Sequence, residues 1–266
     1  MTTPFPFRLG TTSFIYPDRI VPNVRKIGQA FDEIELLVFE SRPETVLPSK
    51  EEIRALGRLS QELDVGYNVH LPTDISITDP SPATRQQGVE AIERVMALTA
   101  ELSPSTCTLH LDLNCDHDQD SAEAVKRWQE RTCHSLDRLV SRGVDLERIS
   151  VETLEYPFDC LDNILDRFNL SVCVDAGHLI KCGFSIDTIF QRYAARIPIV
   201  HLHGVDFSQI PPRDHLSLEK TPTEKAEETM EILKNFHGVV SIEVFNRDNL
   251  AASLDYLHSI DWSPRN

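Results

Sequence analysis

"SVCVDAGHLI", residues 171–180, is the stretch whose reading decides the fold. Ser171 to Val174 read as a short buried strand, because small and β-branched residues suit a pleated interior. Asp175 and His178 then follow three apart, with Ala176 and Gly177 between them. A core strand that ends on a carboxylate and an imidazole poses a choice. Either Asp175 caps the helix that starts there, or the pair binds something, for which a metal ion is the first candidate.

The same rhythm recurs along the chain. β-rich runs stand at 7–14, 33–39, 66–72, 106–112, 149–155, 171–178, 198–204 and 239–245. Helical stretches lie between them. "SKEEIRALGRLSQELD" places Ile53, Leu56, Leu59 and Leu63 on one helical face, and Ser49 with Glu52 forms a capping-box pattern. Strands alternating with helices imply parallel β/α units. Eight of them in 266 residues predict one (β/α)8 barrel over 1–266. An open doubly wound sheet is the competing fold. It calls for a glycine-rich turn after the first strand, whereas "GTTSFIYPD" has one glycine.

Composition bounds the function. The formal net charge is −16, which disfavours a nucleic-acid backbone as the main partner. No apolar run approaches the roughly 20 residues of a membrane helix, and the N-terminus shows no export signal, so a cytoplasmic protein is expected. The six cysteines, Cys107, Cys115, Cys133, Cys160, Cys173 and Cys182, form no CxxC pair. They read as free thiols in a reducing compartment.

The ionisable residues fall near the ends of the runs. His70 ends the third and His110 lies in the fourth; Glu152, Asp175, His201 with His203, and Glu243 follow in the next four. Two residues before these positions stand Asn68, Thr108, Ser150, Cys173, Ile199 and Ser241, mostly small or weakly polar, as a narrow interior below a polar site permits. A single strand histidine is usually a hydrogen-bonded core residue. Six consecutive strands ending this way are different, since buried carboxylates need compensation that divalent cations supply. Ligands of this type suit zinc, manganese, iron or cobalt. His178 at the turn after Asp175, and His215 in the long loop "VDFSQIPPRDHLSLEKTP", join them by context. His203 suits either a supporting or a substrate role. His117, His134, His237 and His258 read as surface residues. Long polar loops after the third, fourth and seventh runs would share the face on which barrel active sites are built.

Strand by strand, this pattern resembles the xylose-isomerase-like barrels, a group that includes sugar isomerases and epimerases and the apurinic-site endonucleases. The sugar-isomerase branch implies one metal on Glu152, Asp175, His201 and Glu243, with the two glutamates as acid and base. The endonuclease branch implies three zinc ions: one on His70, His110 and Glu152, a second on Glu152, Asp175, His201 and Glu243, and a third on His178 and His215. That branch has an aspartate where this chain has Arg213. The third ion therefore needs another ligand, such as Asp214 or a phosphate, or else Arg213 takes over its charge and grips the phosphate.

The resemblance thus implies two or three divalent ions, zinc first, and phosphodiester hydrolysis, while the acidic surface argues against DNA. A small phosphodiester reconciles the two. "RLGTTSFIYPDRIVPNV" with "EIELLVFES" also resembles the cobamide-remodelling phosphodiesterases, which implies the nucleotide loop of a cobamide as substrate. Glu152, Glu243 and Arg213 are then the catalytic candidates, and Phe14, Ile15, Tyr16 and Phe207 candidates for an apolar rim. The alternatives are a sugar isomerase or epimerase, an apurinic-site endonuclease, and a non-catalytic metal-binding barrel. The sequence carries no sign of oligomeric state.

Overall fold

A computed structural model describes residues 5–39, 47–113 and 121–263. The strands among them are β1 (Arg8–Thr12), β2 (Glu33–Leu37), β3 (Gly66–His70), β4 (Cys107–Leu109), β5 (Ile149–Glu152), β6 (Ser171–Asp175), β7 (Ile199–Leu202), β8 (Gly204–Asp206), β9 (Arg213–Leu216) and β10 (Val239–Ile242). Eight of them close in the order β1-β10-β7-β6-β5-β4-β3-β2, and β8 with β9 forms a separate hairpin. Neighbours in the barrel are parallel throughout. Closure rules out the open doubly wound sheet. Each barrel strand is the core of one of the eight runs read from sequence.

The described helices are α1 (Ile20–Ile27), α2 (Lys50–Leu63), α3 (Pro82–Thr99), α4 (Ala122–Ser141), α5 (Asp162–Phe168), α6 (Ala176–Cys182), α7 (Ile186–Tyr193), α8 (Thr223–Leu233) and α9 (Arg247–His258). α2 opens with the expected box: Glu52 N–H donates to Ser49 Oγ at 3.2 Å and Ser49 N–H to Glu52 Oε2 at 2.8 Å. Ile53, Leu56 and Leu59 are its buried face, and Asp64 ends it in the left-handed conformation. Among the described residues no helix is long and apolar enough to cross a membrane. Cys107, Cys133, Cys173 and Cys182 are free thiols, while Cys115 lies outside the described residues.

Two environments follow from strand alternation. Outward residues such as Ile34, Leu36, Val69, Val151 and Val174 join one large apolar core beneath the helices. The inside of the barrel is mainly polar, and its apolar part is a small separate group, Cys173, Ile199 and Val239. Asn68, Thr108, Ser150 and Ser241 are fully buried there, as are Glu33 and Glu35. At the bottom Glu33 is satisfied by Arg8, by Asn68 Nδ2 at 2.8 Å and by the Ser105 hydroxyl.

The segment after β4 is pinned from outside. Trp128 on α4 is fully buried; its Nε1–H donates to the Asp112 carbonyl at 2.8 Å and its ring meets Tyr156 edge-on. The Tyr156 hydroxyl donates to the Leu111 carbonyl at 2.8 Å. Both bonds hold the backbone next to His110. Trp128→Ala is expected to cost about 3–5 kcal/mol, the range for an emptied aromatic site. Denaturant unfolding measures it, and a loss below about 1 kcal/mol would contradict this packing role.

Candidate metal centre

The expected residues converge at the C-terminal mouth of the barrel. His70 ends β3, and its Nδ1–H donates to the Leu71 carbonyl at 3.0 Å. That bond places one proton on Nδ1 and turns Nε2 toward Glu152 Oε2, 3.2 Å away. His110 Nε2 approaches the same oxygen at 2.9 Å. The other carboxylate oxygen, Oε1, lies 3.6 Å from His178 Nδ1 and 3.6 Å from His201 Nδ1. Glu152 is therefore shared: one oxygen faces the histidines of β3 and the β4 end, the other those of β6–α6 and β7.

Asp175 is the cap of the helix that follows it. Its Oδ1 caps α6, accepting the His178 N–H at 2.6 Å, and lies 3.1 Å from His203 Nε2. Its Oδ2 is buried without a hydrogen bond. Glu243 Oε2, His178 Nδ1 and His201 Nδ1 are also buried without one. His201 Nδ1 lies 3.3 Å from Glu243 Oε2 and 4.0 Å from Asp175 Oδ2. Ligand atoms of Glu152, Asp175, His201 and Glu243 lie within 4.8 Å of one another, as do those of His70, His110 and Glu152. Unbonded carboxylate oxygens and imidazole nitrogens turned toward each other repel unless a cation lies between them. The donor set thus fits divalent metal.

A third group, His178, His203 and His215, is all nitrogen. The long loop after β7 is not a plain loop: β8 and β9 pair antiparallel, Gly204 opposite Leu216 and Asp206 opposite Arg213. His215 sits on β9 in the left-handed conformation, φ 51°, which brings its ring against His203 at 4.1 Å. Its N–H donates to His203 Nδ1 at 3.0 Å. His203 then carries its proton on Nε2, the nitrogen that lies 3.1 Å from Asp175 Oδ1. Gly177 makes room for the ring, since a Cβ there would stand 2.0 Å from His203 Cε1. Asp214, considered as a ligand, pairs instead with Lys181 Nζ at 2.7 Å. Arg213 is exposed at the start of β9, and its charge acts on Asp206 across the hairpin.

A xylose isomerase-like TIM barrel family model matches residues 21–265. The chain belongs to that family. Among solved structures of this fold, a D-tagatose 3-epimerase-like protein superposes with TM-score 0.75 at 20% identity, covering 95% of this chain and 96% of its own. The 3-keto-D-glucoside 4-epimerase YcjR from E. coli gives 0.68 at 14%, covering 96% and 100%. The D-allulose 3-epimerase from Methylomonas sp. gives 0.66 at 15%, covering 97% and 99%. At such identities the likeness is one of fold. No curated protein matches the chain by sequence.

In this xylose isomerase-like barrel one buried group escaped the sequence reading. Glu35 on β2 is fully buried, with Oε1 2.9 Å from His201 Nε2 and Oε2 accepting the Ser241 hydroxyl at 2.8 Å. The available signal was "EIELL", where Glu33 and Glu35 alternate with outward apolar residues. Above the ligands Phe39 meets His70 and Phe245, and Phe245 meets His215, forming an aromatic wall. Of the expected rim residues, Phe14 and Phe207 are exposed at 51% and 45%, Tyr16 is half-buried, and Ile15 is buried in the large apolar core rather than on a rim. His134, His237 and His258 are on the surface; His117 lies outside the described residues.

Electrostatics bind the group together. Burial raises the Glu152 carboxyl, but His110 and His201 hold it well below the ordinary carboxylate range. Burial lowers the His70 imidazole, but its bond to Glu152 and that charge push it up to about 9. In the metal-free protein the proton on His70 occupies the cation's place. A pKa raised from 6.5 to about 9 gives stability that is full below pH 6.5 and lost as pH rises through 9. Metal must displace that proton, so apparent zinc affinity should rise about tenfold per pH unit per displaced proton between pH 6.5 and 9. Chelator competition across that range measures it, and a flat profile would contradict the assignment of His70 as a ligand.

Proposed function

We propose that this barrel is a metal-dependent phosphodiesterase acting on a small phosphodiester. The observation that carries the reading is the shared Glu152, with His70 and His110 on Oε2 and His178 and His201 on Oε1. A carboxylate flanked on both oxygens suits two adjacent ions, zinc first among zinc, manganese, iron and cobalt. Such a pair supplies a nucleophilic water and charge stabilisation for the phosphoryl oxygens. Glu243 Oε2, free of hydrogen bonds, is placed to accept a proton from the attacking water. Phe39 and Phe245 exclude bulk water from one side. Arg213, on the hairpin that carries His215, would grip an outer phosphate oxygen pair. The first substrate to test is a cobamide, since the opening segment resembles the cobamide-remodelling enzymes. The net charge of −16 weighs against DNA, and the free thiols agree with a cytoplasmic setting.

A second reading has its own support. Glu152, Asp175, His201 and Glu243 form a complete four-ligand group by themselves, and the structural relatives named above include sugar epimerases. On that reading the two glutamates are acid and base at a sugar carbon, and His70 and His110 are dispensable. The relatives favour it, whereas the shared carboxylate favours two ions.

Two variants separate the readings. His70→Ala is expected to lower hydrolysis of bis(p-nitrophenyl) phosphate at least a hundredfold; robust ketose epimerisation by the wild type, retained in the variant, would reverse the order. Arg213→Lys is expected to weaken turnover of the natural diester by about 1.5–3 kcal/mol, the range for a charged hydrogen bond, with metal content unchanged. Unaltered kinetics would make Arg213 a solvated residue at the start of β9.

A further inference from the structure

Glu35 lies on β2 and His201 on β7, strands that are not neighbours in the barrel. They meet only across the interior. His201 has two nitrogens with opposite tasks. Nδ1 faces Glu152 Oε1, Asp175 Oδ2 and Glu243 Oε2, and Nε2 lies 2.9 Å from Glu35 Oε1. All five side chains are at most 3% exposed. A buried carboxylate requires compensation: Glu35 Oε2 accepts the Ser241 hydroxyl, and Oε1, which has no hydrogen bond, lies in ion-pair contact with the His201 ring.

We infer that Glu35 is a positioning residue for the metal ligand His201. The inference rests on the metal-centre reading above. A proton on Nε2, 2.9 Å from the buried Glu35 carboxylate, leaves the Nδ1 lone pair on the side of the three carboxylate oxygens. A buried anion behind the ring also makes that lone pair more basic, as carboxylates behind metal-bound histidines do. Glu35 stands on the far side of the ring from the four-ligand group, so it acts through His201. Ser241 fixes the carboxylate in turn, because its hydroxyl leaves Oε1 free for the ring.

The test is zinc affinity by chelator competition on the full chain, with circular dichroism and thermal unfolding of the metal-free protein alongside. Glu35→Gln keeps shape and hydrogen bonding and removes the charge. It is expected to weaken one of the bound equivalents about 10–100-fold, leave the other unchanged, and keep the fold. Unchanged affinity for both equivalents with a lowered melting point would make Glu35 purely structural and overturn the inference. Complete loss of one equivalent would make Glu35 a ligand and overturn it as well. If Glu35→Gln does not fold, Ser241→Ala carries the test: it is expected to weaken the same equivalent several-fold, and no change overturns the inference. A wild type that binds no divalent ion would instead overturn the metal-centre reading itself.

Discussion

The site turns on one buried carboxylate among four imidazoles. Glu152 is 1% exposed; His70 and His110 lie within hydrogen-bond distance of Oε2, and His178 and His201 stand 3.6 Å from Oε1. Burying that anion would be very costly without compensation. The architecture answers this: His70, His110, Glu152, Asp175, His201 and Glu243 come from the ends of six neighbouring barrel strands, and His178 from the first turn of α6, all aimed at one place. The barrel need only close for the group to assemble.

Closure in turn depends on an inverted pattern. The strands are apolar on the outside, where helices cover them, and polar within, where Glu33, Glu35, Asn68, Ser150 and Ser241 occupy the centre. The polar interior acts as a support beneath the metal ligands. Ser241 holds Glu35, and Glu35 faces His201. Thr153 Oγ1 accepts the Asp175 N–H at 2.8 Å, while His203 faces the Asp175 carboxylate. Side chains held this firmly would fix the geometry that a bound metal requires.

The strands and the ionisable residues at their ends were legible because both are local. A run of β-formers bounded by polar residues marks a strand, and the last inward residue follows from alternation. What stayed hidden is what crosses the barrel. Nothing near "EIELL" says that Glu35 will meet His201, because the two strands are brought together only by closure. The role of His203 depends on a hydrogen bond from His215, twelve residues on and across a hairpin. That hairpin was itself obscured by two prolines and a polar "RDHL" strand. Asp214 could not be separated from a ligand until Lys181 was seen beside it.

The central claim is that Glu152 joins two ions. The direct measurement is anomalous scattering at the zinc edge from crystals of the metal-loaded protein. The account predicts two peaks, one beside each Glu152 oxygen, with His70 and His110 on the first and Asp175, His201 and Glu243 on the second. A single peak within the four-ligand group, with His70 and His110 holding none, would contradict it.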